Sequence, residues 1–333
     1  MITDDRERVD VLRRGAASAA LAPSVHNTQP WRFRLSRHAL EMRIDPERQL
    51  NVLDPARRQL LISCGCALFN ARVALAASRY DVTVERFPDP TDPDLFARIE
   101  LGEPAAPWTP LVRLEAAIRR RHSNRREFFE TQVSEEIVWE LGAAATAEDA
   151  TLVPIRSIED RRTVAELIRE ADALENADPD YRAELQMWTT QIRRRTDGVP
   201  ADSYPQSSAH RGEVPLRDFG ARVSGHMPPV EDSGIDQCLL VLGTADDDRQ
   251  AWLRAGEALE RLWLEADRLD QVASIISQPI EVRQTRQRLR RAVGLSIWPQ
   301  VLLRVGQAAP SAATNRRPLD ELLEKPSREP STR

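Results

Sequence analysis

The segment APSVHNTQPW, residues 22–31, crowds prolines and polar side chains into a short stretch between two regular elements. Helical spacing of apolar residues predicts a helix over 9–21 before it, and Pro23 ends that helix. Alternation of apolar and polar residues predicts a strand over 31–35 after it. One interpretation is a helix stop followed by a rigid turn. The other is a rigid loop that presents amide and hydroxyl groups to a planar heterocycle.

The basic residues of the chain are almost all arginine. The chain has 333 residues with 47 Lys+Arg and 52 Asp+Glu, for a net charge of -5. Lys325, in a Pro-rich tail, is the one lysine. This argues against a Schiff-base lysine or a pyridoxal-phosphate anchor, and it excludes a P-loop lysine. At about 150 residues per domain, the length indicates about two domains.

Glycine is sparse, with 13 in the chain. No two glycines are two or four positions apart, so G-x-G-x-x-G and G-x-S-x-G are both absent. A phosphate-bearing cofactor would therefore have to be held by arginine, hydroxyl groups and helix N-termini rather than by a glycine-rich loop.

Composition also limits partners and location. Mildly acidic, interspersed charge is not typical of a nucleic-acid binder, and no apolar run approaches the roughly 18 residues of a membrane span. The acidic, polar N-terminus has no visible signal peptide. Three cysteines, an odd number, favour a reducing cytoplasm. Cys64 and Cys66 are expected to be buried in an apolar helix over 56–80 rather than to bind metal, and no metal site is predicted.

The order of elements indicates an α+β chain in two parts, 1–108 and 109–333. Strands are predicted at 31–35, 40–44, 82–87 and 97–100, followed by a Pro-rich linker over 101–110. The second part has helices at 111–120, from 134, and at 157–175, 248–269 and 281–293. Its strands are predicted at 151–155, 238–243 and 298–305, and 272–276 is a further short apolar segment. Residues 197–232 have little periodicity and are expected to form a lid or an insert.

Two basic clusters are candidates for binding an anion. The first is RHSNRR, residues 121–126, at a helix end, where guanidinium groups and a hydroxyl suit a phosphate dianion. A solvated basic surface is the alternative. The second is Arg316 with Arg317 in the tail, for which surface charge is the simpler interpretation.

Taken together, these segments resemble the nitroreductase family of FMN-binding proteins. The P-S-x-x-N-x-Q-P-W string is the specific part, and SCGCAL (63–68), RAGEA (254–258), SQP (277–279) and WPQ (298–300) support it. The resemblance covers nearly the whole chain. It is greatest to the Acg-like branch of actinobacteria, in which two nitroreductase-like halves are fused. It implies the nitroreductase fold as a pseudo-dimer within one polypeptide.

The resemblance implies one FMN site per chain. Family members are homodimers whose FMN sites straddle the interface, one subunit giving the P-S-x-x-N loop and the other an R-x-S start and a basic tail. The second half lacks a P-S-x-x-N-x-Q-P-W string and the first half lacks the serine pattern. The second site is therefore expected to be lost. The chain is expected to be a monomeric pseudo-dimer, and further pairing is left open.

The resemblance also assigns residues to that site. Arg125 matches a position that often carries a cation near flavin N1 and O2, which favours hydride uptake. Arg316 or Arg317 is expected on the phosphate, and the segment 275–277 is expected to pack against the ring. The full cofactor-binding set is Pro23, Ser24, Val25, Asn27, Arg121, His122, Ser123, Arg125, Ile275, Ile276, Ser277, Arg316 and Arg317.

The function implied is an FMN-dependent oxidoreductase. NAD(P)H would give hydride to FMN, and a nitroaromatic, quinone or similar small-molecule acceptor would take the electrons, with the flavin carrying the chemistry. The alternative is an FMN-binding or flavin-sequestering protein in which the insert covers the flavin and turnover is small. A biosynthetic flavin dehydrogenase with a dedicated substrate is a third hypothesis.

Overall fold

The first sheet contains the strand that follows the segment 22–31. The structure is a computed structural model that describes residues 2–107, 109–126, 128–190, 195–200, 238–311 and 313–324. Four antiparallel strands, in the order β1-β2-β4-β3, form this sheet. They are β1 (Trp31–Leu35), β2 (Ala39–Ile44), β3 (Tyr80–Arg86) and β4 (Leu95–Pro104). Helices α1 (Ile2–Ala19) and α2 (Arg58–Ala76) accompany it.

The second sheet is also four-stranded and antiparallel, in the order β5-β8-β10-β9. Its strands are β5 (Thr151–Ile155), β8 (Cys238–Thr244), β9 (Val272–Ile276) and β10 (Trp298–Gly306). Two short parallel strands, β6 (Thr189–Thr190) and β7 (Val199–Pro200), pair separately. The helices of this part are α3 (Thr109–Val112), α4 (Glu115–Arg120), α5 (Glu135–Thr146), α6 (Ile158–Ala177), α7 (Pro179–Trp188), α8 (Arg249–Arg268), α9 (Gln278–Glu281), α10 (Arg283–Ala292) and α11 (Leu319–Leu322).

Helices α2 and α8 cross at the centre of the molecule, where Gly65 of α2 lies against Gly256 of α8. A Cβ atom on Gly65 would lie 2.0 Å from the Leu253 carbonyl oxygen, and one on Gly256 would lie 2.0 Å from the Ile62 carbonyl oxygen. Only glycine permits this approach of two backbones. The crossing joins the two sequence parts in one hydrophobic core. Helix α2 is long and apolar enough to cross a membrane, but 83% of its apolar window is buried inside the protein.

Most elements predicted from the sequence are confirmed, and the differences lie at element ends. Helix α1 begins at Ile2 rather than at residue 9, and β4 runs to Pro104, into the predicted linker. The helix predicted over 111–120 divides into α3 and α4. The helix predicted over 281–293 begins at Arg283, because Val282 has extended backbone angles (φ -75°, ψ 116°) after α9.

Helix α7 was not predicted. Asp178 caps it by accepting hydrogen bonds from the backbone N–H groups of Asp180 and Tyr181, and Pro179 stands in its first turn. The division into 1–108 and 109–333 stays a prediction, with one four-stranded sheet on each side of it. Residues 201–232 of the predicted insert lie outside the described residues.

Candidate functional site

The segment 22–31 forms a strained loop that ends in a buried strand. A short 3-10 helix (Val25–Asn27) occupies its middle, and His26, Asn27 and Gln29 all have positive φ, at 46°, 54° and 51°. Such angles are uncommon outside glycine and persist only where the surroundings enforce them. Trp31 is fully buried in the core at the start of β1. Strain of this kind is typical of a functional loop.

Two serine hydroxyls hold the loop in place. The Ser24 Oγ accepts a hydrogen bond of 2.9 Å from the Gln29 backbone N–H, which closes the turn. The Ser63 Oγ on α2 accepts one of 3.1 Å from the Val25 backbone N–H and donates one of 2.7 Å to the Gln59 carbonyl oxygen. The loop is therefore fixed both to itself and to the first turns of α2.

Amide side chains tie the loop to two distant segments. The Asn27 Nδ2 donates to the carbonyl oxygens of Gly198, at 3.1 Å, and Asn315, at 3.2 Å. The Gln29 Nε2 donates to the Thr196 carbonyl oxygen, at 2.9 Å. The loop thus joins the C-terminal segment and the residues that lead into the predicted insert.

A pocket opens beside the loop and is called here the large compartment; it spans about 950 Å³ with its open mouth included. Its walls come from the loop, from α2, α8 and α9, and from strands β9 and β10. Apolar side chains include Val25, Ile62, Leu259, Ile275, Ile280, Val301 and Leu302, and polar ones include Gln59, Ser63, Ser274, Ser277, Gln278, Glu281 and Gln300. A wall that combines apolar side chains with hydrogen-bonding ones suits a planar heteroaromatic ligand.

A second cavity of about 460 Å³, called here the polar compartment, adjoins the first. Pro23, Ser24, Ser123 and Arg125 line both. The polar compartment is further lined by Asn27, Arg121, His122, Val199, Thr314 and Arg316. Three arginines and several hydroxyl or amide groups in one small space suit an anion such as a phosphate monoester.

One of these arginines, Arg121, is buried, and a second, Arg316, is half-buried. The Arg121 Nε lies 3.1 Å from the Glu260 carboxylate, its guanidinium lies over the Trp263 ring at 4.8 Å, and its Nη2 donates to the Leu21 carbonyl oxygen. The Arg316 Nε donates to the Ala22 carbonyl oxygen, at 3.1 Å. Burial, together with the neighbouring positive charge of Arg121, lowers the pKa of Arg316 to about 9.

Asn124 positions the segment 121–126. Its backbone N–H donates to the Ala273 carbonyl oxygen in β9, at 3.0 Å, and its Nδ2 donates to the Ala309 carbonyl oxygen, at 2.9 Å. Its Oδ1 accepts from the Arg126 backbone N–H. The side chain is fully buried, so the basic segment is anchored in the fold between Ser123 and Arg125 and is not a solvated surface loop.

The structure brings together most of the residues predicted from the sequence. Those that line the two compartments are Pro23, Ser24, Val25, Asn27, Arg121, His122, Ser123, Arg125, Ile275, Ser277 and Arg316. Ile276 does not, because strand alternation turns it into the hydrophobic core behind β9. Arg317 does not either: its guanidinium lies 3.7 Å from Asp45 and 3.9 Å from Glu321. Arg316 is thus the tail arginine at the cavity.

Sequence reasoning missed the contribution of α2 to the site. Gln59, Ile62, Ser63 and Cys66 line the large compartment at helical spacing. Two polar residues on one face of an otherwise apolar helix were the available signal. Cys66 and Cys64 are buried, as expected, and burial raises the pKa of both thiols well above the usual range. Among the described residues, no three His, Cys, Asp or Glu side chains group to hold a metal ion.

Similarity to known proteins extends along nearly the whole chain. Rv3131 of Mycobacterium tuberculosis strain H37Rv, provisionally named NAD(P)H nitroreductase, is 35% identical over 316 residues, which is 92% of this chain and 89% of the relative. Acg of the same strain, provisionally named in the same way, is 33% identical over 327 residues, 96% of this chain and 97% of the relative. No family model matches the chain.

Among solved structures, a BluB-like flavoprotein from Clostridium difficile 630 gives a TM-score of 0.42 at 13% identity, over 64% of this chain and 99% of that chain. That likeness is too weak to support a conclusion. The identity to Rv3131 and Acg, which spans almost the full length of all three proteins, is sufficient by itself. The resemblance seen in the loop and the basic segment is confirmed, and the chain belongs to the nitroreductase family, beside Rv3131 and Acg.

Proposed function

We propose that the two compartments together hold one FMN per chain, with the ring in the large compartment and the phosphate in the polar one. We propose further that the protein is an NAD(P)H-dependent oxidoreductase that passes electrons to a nitroaromatic or quinone-like small molecule. The observation that carries the proposal is the joined cavity, in which the strained loop of residues 22–31 meets Ser123 and Arg125. Family membership supports the choice of donor and cofactor.

The groups that line the two compartments fit the ring and the phosphate of FMN. A ring system needs a wide apolar slot with hydrogen-bonding groups at its edge, and the large compartment supplies both. A phosphate needs cations and hydroxyls, which Arg316, Arg125 and Ser123 supply. The Asn27 Oδ1 is buried and accepts no hydrogen bond from any described residue. A ligand hydroxyl in the polar compartment would satisfy it, since a buried acceptor without a donor costs about 1–3 kcal/mol.

The residues of the chain bind, orient and bias the cofactor. FMN, when bound, supplies hydride transfer between NAD(P)H and the electron acceptor. Arg125 lines both compartments and so places a positive charge beside the ring site, which favours the build-up of negative charge there. The hydrogen bonds of Ser24, Ser63 and Asn124 fix the two segments before any ligand arrives.

Because the two halves of the chain together form one site, we propose that the chain is a monomeric pseudo-dimer. The loop comes from the first half and the basic segment and tail come from the second, which is the arrangement that the resemblance implies for the two subunits of a homodimer. The chain has three cysteines, an odd number, which supports a reducing, cytoplasmic location.

Anaerobic mixing of the holoprotein with NADH or NADPH tests the activity. We expect the visible flavin absorbance to bleach rapidly and to return when a nitroaromatic or a quinone is added. Bleaching by dithionite but by neither nucleotide would contradict the reductase activity and would favour the flavin-sequestering alternative. The matched control is free FMN at the same concentration with the same nucleotides.

A further inference from the structure

A carboxylate lies behind the polar compartment, where an anion-binding site would be expected to exclude negative charge. Glu260 on α8 is fully buried, and its Oε1 lies 3.1 Å from the Arg121 Nε. Arg121 is itself 1% exposed and lines the compartment. The pair therefore stands between the hydrophobic core and the place proposed for the cofactor phosphate.

Two further titratable side chains interact electrostatically with Glu260. Arg316, from the C-terminal segment, also lines the compartment, and its pKa is affected by both Arg121 and Glu260. Burial raises the pKa of the Cys66 thiol on α2, Glu260 adds to that rise, and Arg121 opposes it. Burial raises the pKa of the Glu260 carboxyl, and Arg121 opposes that rise. Glu260 thus carries a negative charge beside the buried Arg121 and interacts electrostatically with the half-buried Arg316.

The buried charge of Arg121 is balanced by Glu260, because the other groups that contact its guanidinium are neutral. One face of the guanidinium is covered by the Trp263 ring, and the Leu21 carbonyl oxygen takes one Nη2 hydrogen bond. These neutral groups cannot balance a buried charge, and removing one partner of a buried ion pair is strongly destabilising because the other charge is left uncompensated. Without Glu260, Arg121 would need an anion from outside.

We propose that Glu260 is an internal counter-anion that competes with the cofactor phosphate for Arg121. It keeps the polar compartment folded when no anion is present, and it limits the affinity of the compartment for phosphate monoesters. Glu260 is thereby a positioning residue that acts through Arg121. The inference rests on the proposed function only for the identity of the anion.

The same helix provides a matched control. Glu257 is also fully buried and paired, with Arg72 at 2.7 Å and Arg86 at 2.6 Å, and it lines neither compartment. A Glu257→Gln variant removes a buried paired carboxylate from α8 without altering the polar compartment. It separates loss of stability from a change in anion binding.

The test measures chemical unfolding of wild type, Glu260→Gln and Glu257→Gln against increasing inorganic phosphate. A ligand that binds the folded state stabilises it according to its affinity. We expect both variants to be destabilised without phosphate. We expect phosphate to bind Glu260→Gln at least tenfold more tightly than wild type, and to bind Glu257→Gln as wild type. Equal phosphate affinity in Glu260→Gln and wild type would overturn the proposal.

A double variant covers the case in which Glu260→Gln does not fold. Glu260→Gln with Arg121→Gln removes both charges, so it should fold without phosphate and bind phosphate no more tightly than wild type. Tight binding in the double variant would also overturn the proposal. FMN titration of the wild type distinguishes the two failures: no FMN binding contradicts the proposed function, whereas the phosphate result bears on Glu260 alone.

Discussion

The two compartments of the cavity are built in different ways. The walls of the large compartment are mostly helices and strands, and they include α2 and α8, whose backbones are packed together at their crossing. The polar compartment is formed mostly by irregular segments, in particular 121–125 and 314–316, held by hydrogen bonds and ion pairs. Packing therefore sets the shape of the large compartment, and charge balance sets that of the polar one.

The largest expected effect is at the helix crossing. A Gly256→Ala substitution puts a Cβ 2.0 Å from the Ile62 carbonyl oxygen, so α2 and α8 must separate. We expect a loss of at least about 3 kcal/mol in the free energy of unfolding, at the upper end for overpacked cores. Chemical denaturation measures it, and FMN retention should fall as well, because Ile62 and Leu259 line the large compartment.

Gly142→Ala is the control for this prediction. Gly142 lies inside α5 with no atom within 4 Å of an added Cβ, so alanine there should stabilise the protein by up to about 1 kcal/mol. A Gly256→Ala protein as stable as wild type would show that the large compartment does not depend on this packing.

A smaller effect is expected in the polar compartment, and two adjacent arginines define it. Arg316 lines the compartment, whereas Arg317 is directed to Asp45 and Glu321. Loss of a charged hydrogen bond costs about 1.5–3 kcal/mol, so Arg316→Ala should weaken FMN binding about 10- to 150-fold. Arg317→Ala should leave the Kd within about twofold. Equal losses in the two variants, measured by fluorescence titration, would refute this assignment.

The smallest expected effect is a pH dependence at the start of α2. The Asp54 Oδ2 accepts a hydrogen bond of 2.8 Å from the Leu60 backbone N–H, yet burial raises the pKa of this carboxyl to about 6. The unfolded chain loses that proton near pH 4. The folded state therefore binds the proton more tightly, and the free energy of unfolding should fall as pH rises from about 4 to 6.

We expect that decrease to be on the order of 2 kcal/mol and to disappear in Asp54→Asn, whose amide oxygen can still accept from Leu60. Urea denaturation from pH 4 to pH 7 measures it. If Asp54→Asn keeps the wild-type slope, the slope arises from other groups, and Asp54 does not titrate in this range.

The parts of the site that could be predicted from the sequence are those formed by contiguous segments. The loop of residues 22–31 and the segment 121–126 were identified because proline, amide and arginine residues stand together there. Alternation likewise predicted β1 and β2, and a long, nearly polar-free run predicted α2. Each of these features is local, so no knowledge of the tertiary structure was needed.

The remaining features depend on tertiary contacts. Glu260 is an ordinary helix residue until α8 places it against Arg121, and Gln59 reaches the cavity only because α2 crosses α8. The choice between Arg316 and Arg317 is set by which one faces Ala22 rather than Asp45. Neighbouring positions of identical chemistry cannot be distinguished by composition or spacing.

Titration of the cofactor-free protein with FMN tests the central claim most directly. The account predicts saturable quenching of flavin fluorescence with an end point of one FMN per chain, because the loop and the basic segment form one joined cavity. An end point of two FMN per chain, or no binding at all, would contradict it.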